Sequence, residues 1–234
     1  MKFALKADQR VEATPNANGV CPCCGTETIA KCGIRKVWHW AHKTTKTCDH
    51  WWESETQWHR NWKNCFPKEW QEVIHVVEDG EKHIADVKSP LGIVLEFQHS
   101  RLDDAERVAR ENYYENLVWV VDGARLKTDR IKFNRYPTLT HLSYPTLLSE
   151  PVPVNIFPSF YHWCMSTRPV FFDWRDKLFC LLPQSEPSGN RLMFSISHSH
   201  FCSIIQNTVI SNLDFETIIR YGPIQNLNFL NIEF

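Results

Sequence analysis

The sequence predicts a mixed α/β fold. Its core runs helix–strand–strand–strand–helix–strand (αβββαβ), with a cysteine- and histidine-rich segment in front and a β-rich, proline-punctuated extension behind. Three observations carry this. His83-Ile84-Ala85-Asp86-Val87 and Gly92-Ile93-Val94-Leu95-Glu96-Phe97-Gln98-His99-Ser100 are β-branched and apolar runs separated by the breaker-rich Lys88-Ser89-Pro90-Leu91-Gly92. Cysteines and histidines crowd residues 21–48. Beyond Gly123, prolines divide short apolar runs.

Composition narrows the function classes. The chain has 234 residues, enough for one large domain or two small ones. The division expected is a metal-binding segment at 1–50, a core at 51–130 and a C-terminal region at 131–234 packing on that core. A formal net charge of −1 gives no general argument for a polyanionic partner. Residues 1–65 carry 10 Lys and Arg against 6 Asp and Glu, and residues 66–130 carry 9 against 14. A basic arm beside a cation-binding site fits that asymmetry, and so do ordinary solvated surfaces. No run of 18 apolar residues occurs, so a membrane partner is not expected. Met1 to Arg10 lacks the apolar stretch of a signal peptide, which points to a cytoplasmic protein. The odd count of nine cysteines then favours thiols and metal over disulfides.

Residues 1–19 read as a strand at Met1 to Leu5 followed by a polar loop. Cys21-Pro22-Cys23-Cys24-Gly25 follows, with the Cys-x-x-Cys-Gly shape of a zinc knuckle. The spacing aims two thiolates at one ion, and the glycine permits the tight turn. A four-ligand Zn²⁺ site needs two more donors. His42 and Cys48 are the first choice, with His39 and Cys32 as alternatives, and Cys23 is taken as a spare thiol. So small a zinc-ribbon-like segment, poor in aliphatic residues, needs such a staple to fold. Residues 51–65 read as a helix with a tryptophan stripe, in which Glu55, His59 and Lys63 share a line at spacings of four. Periodicity alone makes that line a solvated polar face.

Trp70 to Val77 reads as a strand, followed by the two strands named above. Asp103 or Asp104 is placed to cap a helix running to Glu115. Asn116 to Gly123 then reads as a buried strand, so a helix links two apolar strands. Alternation puts Glu96 and Gln98 on one face, and pairing about the turn brings Asp86 near them. Carboxylates at the ends of buried strands need a partner, and oxygen-only donors suit Mg²⁺ or Mn²⁺.

Cys21-Pro-x-Cys24-Gly25, Trp38-His39-Trp40-Ala41-His42-Lys43, Glu53-Ser54-Glu55, His83 to Val87, Glu96 to Ser100, and Arg110 with Tyr114 together resemble the competence protein CoiA-like nuclease family. That family belongs to the PD-(D/E)XK superfamily, whose core has the αβββαβ order. The resemblance covers about residues 20–123. It implies a Mg²⁺- or Mn²⁺-dependent nuclease acting on nucleic acid, with DNA the expected substrate. Asp86 and Glu96 would be the paired acids and Glu55 the acid of the first helix. Gln98 stands where many members of the wider superfamily carry Lys; it can orient water but adds no charge. The cation would then come from Lys63, Lys88 or a second metal. His59 would be an added ligand or proton carrier, and Arg110 and Tyr114 would contact phosphate or brace the site. Two alternatives remain: a degenerate version that binds nucleic acid without cutting, and a nuclease used in defence against foreign DNA.

In the C-terminal region Val170-Phe171-Phe172, Leu178 to Leu182 and Leu192 to Ile196 read as strands, and 203–220 as a weak helix. His198, His200 and Cys202 would share one face if that stretch is a strand, an ordinary strand being the plainer reading. The tail from Asn226 to Phe234 is apolar enough to dock.

Overall fold

The structure, a computed structural model, describes residues 1–44, 48–78, 80–134, 146–147, 152–153, 158–175, 177–181, 190–191 and 193–207. The chain forms two compact units, Met1–Asn116 and Leu117–Phe234. The division falls between the last expected helix and the strand after it, not at residue 130, and the segment 1–50 shares the first unit with residues 51–116.

The first unit begins with an antiparallel sheet of β1 (Phe3–Lys6), β2 (Gln9–Glu12), β3 (Asn18–Val20), β4 (Glu27–Lys31) and β5 (His39–His42), in the order β2-β1-β3-β4-β5. Two of these strands occupy the expected polar loop of residues 1–19. The hairpin β1–β2 closes through Ala7 and Asp8, both at positive φ (48° and 61°), with Lys6 paired to Gln9. A primed two-residue turn needs that backbone, and Ala-Asp lacks the Asn-Gly signal that announces it. At Gly19 a Cβ would stand 3.0 Å from Ala4 Cβ, so only glycine lets β3 approach β1 this closely. The sheet curls until Trp40 NH donates to Met1 O (2.9 Å). Its small core joins Met1, Ala4, Ala13, Cys21, Cys23 and Trp40. Cys23 is therefore a packing residue.

The remainder of the unit is α1 (Gln57–Lys63), β6 (Gln71–Val76), β7 (Lys82–Lys88), β8 (Val94–Gln98) and α2 (Asp104–Tyr113). The first helix is shorter than residues 51–65. Thr56 caps it, with its hydroxyl accepting from His59 NH while the His59 ring accepts from Thr56 NH, and Asn64 closes it. Trp51, Trp52, Glu53 and Glu55 therefore precede the helix, and Glu55 does not share a helical line with His59 and Lys63. Nor is that line solvated, since His59 and Lys63 are buried. Strands β6, β7 and β8 pair antiparallel, and every residue of β8 is buried. Asp103 caps α2, accepting from Ala105 NH (2.9 Å).

In the second unit, β9 (Leu117–Asp122) pairs parallel with β12 (Val170–Asp173), which pairs antiparallel with β13 (Leu178–Leu181). The sheet continues through β15 (Met193–Ile196) to β10 (Thr146–Leu147), while β11 (Val152–Pro153) and β14 (Asn190–Arg191) form a separate pair. Helices α3 (Lys127–Asn134), α4 (Pro158–Trp163) and α5 (His198–Asn207) complete it. Trp119, Phe160, Phe172, Phe179 and Phe201 are the largest of its fully buried side chains among the described residues. The fold is thus mixed α/β and β-rich. His198, His200 and Cys202 lie on α5, not on a strand, so residues two apart turn to different faces. His198 Nε2 meets Asp173 Oδ1 at 3.0 Å. The prolines at 137, 145, 151, 183 and 187, the rest of the expected helix 203–220 and the tail 226–234 lie outside the described residues.

Candidate metal centre and acidic site

The paired register of β7 and β8 covers Val87↔Leu95 and Lys88↔Val94. One step further, Asp86 faces Glu96, and there the side chains replace ladder partners. Asp86 NH donates to Glu96 Oε1 (3.3 Å), and Phe97 NH donates to Asp86 Oδ2 (3.0 Å). The two expected acids are therefore locked together across adjacent strands. They line a cavity of about 70 Å³ with Asp49, Glu53, Glu55 and Glu72. His59, Lys63, Arg110 and Tyr114 line the same cavity.

The protein supplies its own cations here. Lys63 Nζ lies 2.9 Å from Asp86 Oδ1, 3.1 Å from Glu72 Oε1 and 3.6 Å from Glu55 Oε1. Burial works against this ammonium, but the three carboxylates hold its pKa well above the ordinary lysine value. Glu55 is further bound by Arg60, Nε to Oε1 at 2.9 Å and Nη2 to Oε2 at 2.8 Å. Burial would raise the Glu72 carboxyl, yet Lys63 and the backbone amides of Lys2 and Phe3 pull it down to about 2. Glu96 goes the other way, to about 8, because it is buried and faces Asp86, which the nearby Arg110 only partly offsets. Arg110 Nη1 donates to Glu96 Oε2 (2.9 Å) and Nη2 to Trp51 O (2.6 Å), and the guanidinium lies over the Trp51 ring. Burial, then Glu96, pushes the Tyr114 phenol up, so it stays protonated.

Two expectations change. Among the described residues, Glu55, Asp86 and Glu96 are not one of the trios whose ligand atoms lie within 4.8 Å of one another. Arg60 and Lys63 hold Glu55 instead. Gln98 does not line the cavity: its amide donates to Glu53 Oε2 (2.9 Å) and Ser100 O (3.1 Å), so it braces another acid. Glu53, missed in favour of Glu55, also accepts from Ser100 NH (2.8 Å) and from the Ser100 hydroxyl. His59 Nε2 is buried without a hydrogen bond, 3.8 Å from Glu53 Oε2. The signal for Glu53 was present in Glu53-Ser54-Glu55, but a helix started too early put Glu55 on the wrong footing. Glu72 gave no local signal beyond lying in an apolar strand. It takes φ 47°, a strained backbone for a side chain with a Cβ.

The cysteine cluster is built differently. Between β3 and β4, Gly25 NH donates to Cys21 O (2.9 Å) and Cys21 NH to Thr26 O (2.8 Å), with Gly25 at φ 71°. This knuckle presents Cys21 and Cys24. The pairing of Thr28 with His42 carries the histidine alongside, and Cys48 arrives from beyond β5. The four ligand atoms lie within 4.8 Å of one another. Cys21 Sγ and Cys48 Sγ are 3.7 Å apart, and Cys24 Sγ and His42 Nε2 3.4 Å. A tetrahedron with Zn–S bonds of about 2.3 Å and a Zn–N bond of about 2.0 Å has edges of about 3.8 and about 3.5 Å. The donor set and spacing therefore fit zinc. Burial opposes the Cys24 thiolate, but hydrogen bonds from Thr26 and the neighbouring thiols bring its pKa to about 6. Burial and the Cys21 charge push Cys48 up, a conflict that a cation resolves. Of the alternatives, His39 donates Nδ1–H to Val37 O (2.8 Å), and Cys32 packs against the small core.

Residues 6–50 match the family model for the competence protein CoiA, N-terminal domain. No curated protein and no solved structure matches the chain. The CoiA-like segment holds all four cluster residues and ends before α1. Its last two residues also tie it to β7. Asp49 Oδ1 accepts from Trp51 NH (2.9 Å) and meets His83 Nδ1 (2.8 Å), and Oδ2 accepts from Ile84 NH (2.9 Å). The Trp51 ring stacks on His83 with centroids 3.3 Å apart. Asp49, His50 and His83 form a second trio of ligand atoms within 4.8 Å. No described helix is long and apolar enough to cross a membrane.

Proposed function

We propose that the chain is a Mg²⁺- or Mn²⁺-dependent nuclease that cuts DNA, working in the DNA handling that the name of its CoiA-like segment suggests. The observation that supports this best is the interlocked Asp86–Glu96 pair in a cavity with more acids than bases. Asp49, Glu53, Glu55, Glu72, Asp86 and Glu96 line it against Lys63 and Arg110. The Met1 amine also lines it and Arg60 grips Glu55 from outside, so a divalent cation would add to counter-charge the chain already supplies. Each oxygen of Asp86 and Glu96 has one hydrogen-bond or ion-pair partner here and a second lone pair to offer. When bound, the metal would supply Lewis-acid stabilisation of the phosphorane and a more acidic water.

The chain's own residues do the rest. Asp86 and Glu96 would hold the cation, and Arg110 keeps Glu96 oriented from behind. Lys63, at 2.9 Å from Asp86, replaces the ammonium that position 98 lacks. Glu53, held by Gln98 and Ser100, faces His59 Nε2 at 3.8 Å; because His59 Nδ1 accepts from Thr56 NH, a neutral ring carries its proton on Nε2, aimed at the Glu53 carboxylate. Tyr114, protonated, braces the wall. The Cys3His cluster would hold zinc and keep the front sheet folded.

One observation favours a second reading. Lys63 occupies the space a cation would claim between Asp86, Glu72 and Glu55. A chain so neutralised would bind nucleic acid without cutting it. Plasmid nicking with Mg²⁺ or Mn²⁺ against buffer without added divalent ion, on the zinc-loaded chain, decides the matter. Metal-dependent nicking that falls about 100-fold or more in Asp86→Ala and Glu96→Ala supports the nuclease. Binding with no cleavage under either ion selects the second reading.

A further inference from the structure

A second cavity, of about 190 Å³, adjoins the acidic one. Met1, Asp49, Trp52 and Ile84 line both, so Trp52 stands on the divide. The second cavity has walls of Trp40, Ala41 and Met1, with His39 from the edge strand β5, and the cluster residues His42 and Cys48 form its floor on the zinc side. Trp52 is 50% exposed, so half of its ring surface is open at the divide.

The hairpin that supplies β5 is charged in one sense. Residues 28–48 contain Lys31, Arg35, Lys36, Lys43 and Lys46 and no acid. Lys43 pairs with Glu27 at 2.7 Å. Lys31, Arg35 and Lys36 are exposed and make no ion pair among the described residues. Lys31 sits opposite His39 in the β4–β5 register, so both point to the same face of that sheet, and His39 lines the cavity. Beyond them the loop carries Trp38, 47% exposed, and Ile34, wholly exposed. Aromatic rings set among unpaired cations are the means by which proteins hold unpaired bases together with their phosphates.

We propose that the cavity between Trp52 and Trp40 receives an unpaired nucleobase of a single-stranded nucleic acid whose backbone crosses Lys31, Arg35 and Lys36. This rests on the reading of Asp86 and Glu96 as the cutting pair, since a base stacked on Trp52 sets an adjoining phosphate at the acidic cavity. Stacking on an aromatic face tolerates every base, so the site selects single strands over duplex and not one sequence over another. The exposed rings and cations are spread over a short hairpin, which suits a flexible strand better than a rigid helix.

The test is fluorescence anisotropy of the full, zinc-loaded chain with labelled 12-residue DNA and RNA single strands and with a DNA duplex. It is run without added Mg²⁺ or Mn²⁺ on the Asp86→Ala background so that nothing is cut and the zinc stays bound. Trp52→Ala should weaken single-strand binding about 5- to 100-fold, while Trp52→Phe keeps it within about 3-fold. Arg35→Glu with Lys36→Glu should reduce the slope of log K against log salt by about 1.4, two phosphates at about 0.7 each. Zinc content and melting temperature should not move in any of these variants, since all three residues are exposed. The DNA and RNA arms show whether the 2′-hydroxyl matters to the pocket. Unchanged affinity in Trp52→Ala, or duplex bound as tightly as single strand, overturns the proposal. Loss of nicking in the wild type with this binding intact would instead refute the cutting reading alone.

Discussion

The two sites of the first unit solve opposite problems with charge. At the Cys3His cluster the protein gathers four soft donors and places no cation among them. The thiols crowd one another, one pushed towards the thiolate and one towards the thiol. At the acidic cavity it gathers six carboxyls and then threads Lys63, Arg60 and Arg110 through them. The first arrangement is one that a zinc ion would complete. The second already stands as a folded network that a metal would have to enter. The cluster is thus marked by missing positive charge, and the acidic cavity by charge that the chain itself already balances.

The largest effect expected from that contrast lies at the cluster. Cys24→Ser or Cys48→Ser should reduce bound zinc from about one per chain to near zero and unfold the five-stranded sheet. Elemental analysis and amide exchange across residues 1–44 measure both. A purified wild-type chain without zinc would break the comparison at once. The next effect lies at Lys63. Lys63→Met leaves Asp86, Glu72 and Glu55 around an empty centre, which should cost about 3–5 kcal/mol. Thermal melts with and without Mg²⁺ sharpen the point, because a divalent ion entering the vacated space should restore part of the loss. Stability unaltered by the substitution would show that the lysine counts for little.

How far the sequence announced these sites follows from how local each is. The knuckle is legible because Cys21 and Cys24 are close in sequence and Gly25 supplies the left-handed turn they need. His42 and Cys48 were favoured on spacing, and the register of β4 with β5 is what brings His42 in. The sheet around them was not legible: its first turn is Ala7-Asp8, and short polar strands carry no alternation to read. Asp86 and Glu96 were legible as neighbours because one short turn joins their strands. The true helix start was hidden by Trp51 and Trp52, whose apolar character serves the stack on His83 and the wall between two cavities. Glu72, Asp49 and Arg60 could not be read at all. Glu72 and Asp49 take their roles from partners distant in the chain, Lys2 and Phe3 for one and His83 and Ile84 for the other, and Arg60 meets Glu55 only because the helix starts after Thr56.

The smallest effect, and the most discriminating, is the pH dependence of stability inside the acidic cavity. Glu96 and Glu72 differ in sign there. The folded-state pKa of Glu96 is raised to about 8 by burial and by Asp86. Its protonated form is favoured in the fold, so its contribution is complete below the ordinary carboxylate range and is lost as pH rises through about 8. Glu72 is lowered to about 2 despite burial, by Lys63 and two backbone amides. Its contribution is complete above the ordinary range and is lost as pH falls through about 2. Each slope is bounded by about 1.4 kcal/mol per pH unit. Urea melts from pH 2 to 9 should therefore show an alkaline decline that Glu96→Gln flattens, because a neutral amide has no proton to lose. Glu72→Gln should flatten the acid side and lower stability at neutral pH, since it leaves Lys63 short of a counter-ion. Added Mg²⁺ separates a metal-ready Glu96 from a merely buried one. An ion that binds the carboxylate releases its proton, so binding should tighten between pH 6 and 8 and take the alkaline decline with it. A decline insensitive to the ion would mean that Glu96 is held for the fold alone.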